Sequence, residues 1–192
     1  MVEVKILIEG YAKSMETGYV ASSTTTLIKS NGKIIIADPG CNRTKLLQAM
    51  KKENLRSNDV DYIFQTHNHP DHVALAGIFE NAKIVDELYV YDGDIIAKHG
   101  GIIPETDLKV IRTPGHLEDH CSLIVPTREG IYVVAGDVFA WLENEKQEID
   151  VNKQDIDVEH TNMERMVASR KKILEIADFV IPGHGKMFKV EK

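Results

Sequence analysis

Residues 67–72 read His67-Asn68-His69-Pro70-Asp71-His72, so three of the chain's eight histidines and one carboxylate fall within six positions. Imidazole and carboxylate are donors for divalent transition metals, zinc and iron above all. His67 and His69 lie two apart, and an extended backbone points both the same way. Pro70 stops an extended segment and suits the first position of a helix. Asp71 and His72 then start that helix, aimed back at the strand end. One loop thus offers two pairs of ligands, enough to begin two adjacent metal sites and to complete neither.

The missing donors must come from elsewhere, and four candidates sit where apolar runs end. His116 follows LKVIRTPG, Asp137 ends IYVVAGD, His184 follows DFVIPG and Asp38 ends GKIIIAD. Asp38 precedes Pro39 and Gly40, so it also suits an Asx turn. His120, in GHLEDHCSL, is either behind the ligands or facing a substrate. His99 and His160 lie in polar stretches and read as surface residues. Cys41 and Cys121 read as ordinary small side chains; no serine or cysteine nucleophile is needed.

The elements that must position these donors are mostly strands. VEVKILIEG, TTTLIKSNGKIIIADPG, DYIFQTH, AKIVDELYVYDG, LKVIRTPGH, CSLIVPTREGIYVVAGD and DFVIPGHG are β-branched, apolar and bounded by turn residues. Asn31-Gly32 marks one hairpin and Thr127 to Gly130 a second. Helical periodicity predicts helices over 43–55, 70–79 and about 157–176. In the last of these, a stripe including Met163, Met166 and Ile173 reads as core. This order suits an α+β sandwich of two facing sheets with helices outside. The acid-rich stretch 142–159 reads as an excursion from it.

With 192 residues and 43% hydrophobic content, the chain suits a single domain over 1–192. The net charge of −7 argues against a broad phosphate-gripping surface. No apolar run approaches the roughly 20 residues that span a bilayer. Two cysteines without an export signal fit free thiols in the cytoplasm.

The ordered set of Asp38, His67–His72 (HxHxDH), Thr113-Pro114-Gly115-His116, Gly136-Asp137 and Pro182-Gly183-His184-Gly185 resembles the metallo-β-lactamase fold superfamily. That resemblance implies an αββα sandwich of two mixed sheets, helices on the outer faces and a dinuclear site at one edge. It implies that His67, His69 and His116 hold one ion, that Asp71, His72 and His184 hold the other, and that Asp137 bridges them. Asp38 would accept a ring N–H from a ligand histidine. The two divalent ions would be Zn2+, with Fe or Mn also compatible.

The reaction implied is hydrolysis of an ester, thioester or phosphodiester, with Asp71 handling the proton. His120 would assist the leaving group or oxyanion if it faces the substrate. Histidine at position 69 separates the chain from flavodiiron reductases of this fold, which tend to carry glutamate there. Nor is there a β-CASP insertion between Asp137 and His184, or a helical extension after His184 of the glyoxalase II type. ILIEGYAK, VVAGDVF and SRKKILEIADFVIPGHGKMFKV further resemble a group of small members whose animal representative is associated with cutting histone pre-messenger RNA. The expected substrate is a small molecule or short nucleic acid, with no membrane partner. A homodimer through the apolar N-terminal segment is possible. The competing readings are a mononuclear iron persulfide dioxygenase and a non-catalytic metal-binding protein.

Overall fold

A computed structural model describes residues 2–157 and 161–191, so the expectation for His160 lies outside the described residues. Among those described, one seven-stranded sheet contains β1 (Glu3–Ile8), β4 (Thr25–Ser30), β5 (Lys33–Ala37), β6 (Tyr62–Phe64), β7 (Lys83–Val85), β8 (Tyr89–Asp92) and β9 (Ile95–Lys98), in that spatial order. A five-stranded sheet follows the order β10 (Lys109–Arg112), β11 (Cys121–Pro126), β12 (Ile131–Ala140), β13 (Phe179–His184) and β14 (Phe188–Lys189). Strands β2 (Tyr11–Met15) and β3 (Gly18–Ser22) form a separate hairpin. The longer helices are α1 (Arg43–Lys52) and α3 (Met163–Ile176), and α2 (Pro70–Val73) is a single turn.

Alternation along the strands builds three hydrophobic layers. Ile35, Ala37, Tyr62 and Phe64 face Leu123, Val125, Val134 and Ile181 across the space between the sheets. Their neighbours Ile36 and Ile63 point the other way, onto Leu46 and Met50 of α1. Likewise Val133, Ala135 and Val180 point outward onto Met166 and Ile173 of α3. Each valine, leucine, isoleucine, methionine or phenylalanine so buried contributes about 1.5–3 kcal/mol. The result is the expected αββα sandwich, with both sheets mixed: β5–β6, β6–β7 and β12–β13 are parallel.

Four details differ from the sequence expectation. The predicted 70–79 helix closes after the single turn Pro70–Val73, and a separate tight turn follows over Ala76–Ile78. AKIVDELYVYDG is two antiparallel strands, because Asp86 accepts hydrogen bonds from the Leu88 and Tyr89 amides and turns the chain. The predicted 157–176 helix begins only at Met163, where the Asn162 side chain caps the Arg165 amide at 3.1 Å. Asp137 does not end its strand. The pairing of β12 with β13 shifts by one residue between Val134 and Gly136, and the strand then resumes to Ala140. Gly136 has φ +53°, and a Cβ there would lie 2.6 Å from Thr66 Oγ1. Only glycine fits this bulge, which re-aims the next side chain.

The 142–157 stretch is irregular but tied down. The Arg170 guanidinium of α3 is buried and donates to the carbonyls of Val138, Val151 and Lys153. Among the described residues no helix is long and apolar enough to cross a membrane.

Candidate metal centre

Parallel neighbours end on the same side of a sheet, and that geometry collects the polar residues. Asp38 follows β5, the His67–His72 loop follows its parallel neighbour β6, and Asp137 and His184 lie on the parallel pair β12 and β13. His116 reaches the same place from the β10–β11 loop. His69 is the N-cap of α2 and Pro70 its first residue, so Asp71 and His72 fall on the helix as the sequence predicts.

The seven expected ligands converge into two groups: His67, His69, His116 and Asp137 in one, Asp71, His72 and His184 in the other. Within the first, His69 Nδ1 is 3.1 Å from His67 Nε2 and 2.9 Å from His116 Nε2. Nitrogens around one tetrahedral zinc stand about 3.3 Å apart, so this spacing is close to that of a coordination sphere. Asp137 Oδ2 lies 3.6 Å from both His116 Nε2 and His184 Nε2, while its Oδ1 is 3.2 Å from His72 Nε2. One carboxylate therefore stands between both groups. Asp71 Oδ2 is 3.2 Å from His184 Nε2.

Every buried ligand ring is oriented from behind. Thr66 Oγ1 lies 3.0 Å from His67 Nδ1 and donates to Asp38 Oδ2 at 2.7 Å, so it accepts the His67 N–H. His72 Nδ1 donates to Asp38 Oδ2 at 2.8 Å, His116 Nδ1 to Asp155 Oδ2 at 2.7 Å and His184 Nδ1 to the Tyr11 carbonyl at 3.2 Å. With Nδ1 held by these acceptors, Nε2 of each ring faces the centre and is the nitrogen left to bind a metal once its proton is lost. Asp38 has φ +48°, and its carboxylate also accepts from the Thr66 amide at 2.9 Å. It thus fixes the ring of His72, one of the expected ligands. Asp155, Thr66 and the Tyr11 carbonyl are additional to the sequence-derived set.

Burial, reinforced by the charge of His72, holds the His67 imidazole well below its ordinary pKa and therefore neutral. For His184 burial works in the same direction, but the Asp137 and Asp71 carboxylates outweigh it and hold the ring up at about 9. The second group thus attracts positive charge. His72 Nε2 and Asp137 Oδ1 are buried 3.2 Å apart, and neither makes a well-formed hydrogen bond. A metal ion would satisfy both atoms, and each of the two donor groups has the chemistry to hold one.

His120 is fully buried rather than facing a substrate. Its ring stacks against His67 with centroids 5.0 Å apart, and its Nδ1 lies 3.1 Å from Thr113 Oγ1. A group that protonates a leaving group must reach it, so this placement departs from the catalytic expectation. Burial pushes the His120 pKa down to about 3, leaving a neutral ring. His99 is half-buried, its ring bonded to the Asp86 carbonyl and Gly101 amide. Cys41 and Cys121 are free thiols, only the first exposed.

The site opens into a cavity of about 810 Å3 lined by Ala12, Tyr19 and Ala21 of the hairpin, by Pro70, Ile156 and Asp157, and by His69, Asp71, His116, Asp137 and His184. Asp71 is the more open carboxylate, its side chain 25% exposed against 4% for Asp137. Gly183 passes beneath Asp137, where any Cβ would overlap Oδ1 and force the carboxylate away. Gly183→Ala is therefore expected to leave the sandwich folded but lower metal content to about one ion or fewer. Metal analysis alongside circular dichroism checks this; full metal content in the variant would contradict the close approach.

The Metallo-beta-lactamase superfamily pattern matches residues 18–110. Metallo-beta-lactamase domain-containing protein 1 of Xenopus laevis is 32% identical, the match covering 98% of this chain and 82% of that protein. A hydroxyacylglutathione hydrolase of Rhodopseudomonas palustris is 37% identical over 41% of this chain and 33% of its own. Among solved structures, a metallo-β-lactamase-type protein of Thermotoga maritima superposes with a TM-score of 0.71 at 18% identity, covering 98% of this chain and 99% of that one. With the sandwich, the ordered motifs and near full-length similarity in agreement, the chain belongs to the metallo-β-lactamase superfamily.

Proposed function

We propose that the protein is a dinuclear metal-dependent hydrolase acting on an uncharged ester or thioester. The observation that carries this reading is the Asp137 carboxylate, which faces His116 with one oxygen and His72 with the other. Two divalent ions bound there would supply Lewis acidity and a water acidic enough to act as nucleophile at neutral pH. The chain's own residues do the rest. His67, His69 and His116 on one side and Asp71, His72 and His184 on the other fix the geometry, held by Thr66, Asp38, Asp155 and the Tyr11 carbonyl. Asp71, open to the cavity, is the carboxylate able to take and return a proton there. The ions are Zn2+ in this reading, and the same donors accept Fe or Mn. A cytoplasmic location accords with the free thiols.

The cavity walls select the substrate. Among the described residues no lysine or arginine lines the cavity, while Asp71 and Asp157 do. Phosphodiesters and single-stranded RNA are gripped through positive grooves and stacking platforms. Apart from the ions themselves, the described cavity walls offer an anionic substrate carboxylates and no lysine or arginine, in a chain of net charge −7. Ala12, Ala21, Pro70 and Ile156 instead offer apolar contact to an acyl group. The similarity to a hydroxyacylglutathione hydrolase accords with acyl chemistry.

Turnover of uncharged lactones and acyl thioesters is expected to exceed that of bis-p-nitrophenyl phosphate and short single-stranded RNA by about 100-fold in kcat/KM. Faster cleavage of the phosphodiesters would overturn the substrate class. One equivalent of iron with oxygen uptake would replace the hydrolase reading with a dioxygenase.

A further inference from the structure

Among the described residues the sandwich has four sheet edges, and three of them are blunted. β1 carries an irregularity between Ile6 and Ile8, β10 is covered by Gly101 and Ile102, and β14 is two residues long. The fourth, β9, is regular and bare. All four of its residues are exposed, Ile95 at 61% and Ile96 at 62%. Exposed edge strands of this kind template pairing with another strand unless charge or a bulge prevents it.

The register of β9 says which backbone groups are free. Gly93 and Asp94 form a two-residue turn closed by the pair Asp92–Ile95, followed by Tyr91–Ile96, Val90–Ala97 and Tyr89–Lys98. Hydrogen-bonded and non-hydrogen-bonded pairs alternate along an antiparallel ladder, starting from the bonded pair that closes such a turn. Ile95 and Ala97 therefore spend their N–H and C=O groups on β8. Ile96 and Lys98 turn theirs outward, and Asp94 precedes the strand in the turn.

Ile96 and Lys98 also share one face of the strand. A two-fold axis through Ile96 sets Ile96 against Ile96 of a second copy, Asp94 against Lys98, and Lys98 against Asp94. That single register pairs the outward backbone groups of Ile96 with their copies and brings each Lys98 to the Asp94 end of the other hairpin. Among the described residues neither Asp94 nor Lys98 makes an ion pair within its own chain, although Asp92 next along is paired with Lys83. A lone lysine on an edge would repel pairing; an aspartate four residues before it makes the edge self-complementary instead.

We propose that β9 is a homodimer interface, two copies joining their seven-stranded sheets edge to edge about Ile96. The exposed side chains of Leu88 and Ile102 lie on residues flanking the hairpin and add apolar surface. The interface is small, so association is expected in about the micromolar range.

Sedimentation velocity of the full metal-loaded chain, from about 1 to 300 µM, tests this directly. Wild type is expected to pass from monomer to dimer across that range. Ile96→Lys sets two like charges face to face on the axis and is expected to leave only monomer, with metal content and turnover unchanged. Asp94→Lys places a positive charge opposite Lys98 at both ends of the pairing and is expected to weaken the dimer about tenfold or more. Combining Asp94→Lys with Lys98→Asp restores opposite charges and the dimer. A monomer at every concentration, a dimer indifferent to Ile96→Lys, or a double variant no tighter than Asp94→Lys alone would each overturn the proposal.

Discussion

Asp137→Ala is expected to lower the proposed hydrolase activity about a thousandfold or more, because it removes the carboxylate that stands between both donor groups. Asp137 Oδ2 is equidistant from His116 and His184 at 3.6 Å, and Oδ1 faces His72 at 3.2 Å. Its carboxylate is buried, which alone would raise its pKa, yet the positive charges of His184 and His72 outweigh burial and hold it well below the ordinary value. Alanine leaves six ligands without the carboxylate that links them. Bound metal should fall from about two ions to one or fewer. Asp137→Asn is the companion variant: it keeps volume and one acceptor oxygen, so its circular dichroism should match wild type while turnover is lost. Wild-type turnover in either variant, measured on the best substrate found, would refute the two-ion mechanism.

The seven donors were legible because each follows an apolar run and a turn, where a polar side chain has no packing reason to be. His67 to His72 show two periodicities side by side: alternation, then Pro70 and a helical turn. The hydrophobic layers were legible for the same reason, since Ile35, Ile36 and Ala37 must alternate between inner and outer clusters. Asp155 was not legible. It lies in an irregular acid-rich stretch, 39 residues from the His116 ring it orients, and nothing local distinguishes it from Asp150 or Asp157. The Tyr11 carbonyl behind His184 carries no side-chain signal at all.

His120 was ambiguous because its spacing from His116 allowed it to face either way. The Leu117–Asp119 turn, closed by the His120 amide to the Leu117 carbonyl, carries it inward beside Thr113. The β2–β3 hairpin went unseen as strand because YAKSMETGYVAS is mostly exposed and lacks a consistent apolar face. It nonetheless supplies Ala12, Tyr19 and Ala21 to the cavity wall.

Asp38→Asn separates orientation of a ligand from support of the fold. Asp38 Oδ2 accepts from both His72 Nδ1 and Thr66 Oγ1, and Oδ1 accepts from the Thr66 amide. Asparagine nearly matches its shape and tolerates the φ of +48°. If its NH2 replaces Oδ2, His72 must accept at Nδ1 and carry its proton on Nε2, where a metal would bind. If the amide flips, the NH2 opposes the Thr66 N–H. Both arrangements weaken the Asp71–His72–His184 half, and affinity for the second ion is expected to fall about 10–100-fold. Asp38→Ala goes further. It strands the Thr66 amide and hydroxyl in a site only 1% exposed, at a cost of about 3 kcal/mol or more. Chelator competition reads the first variant and denaturant titration the second. An Asp38→Asn protein that retains its second ion with wild-type affinity would show that Asp38 supports the fold without setting the His72 tautomer.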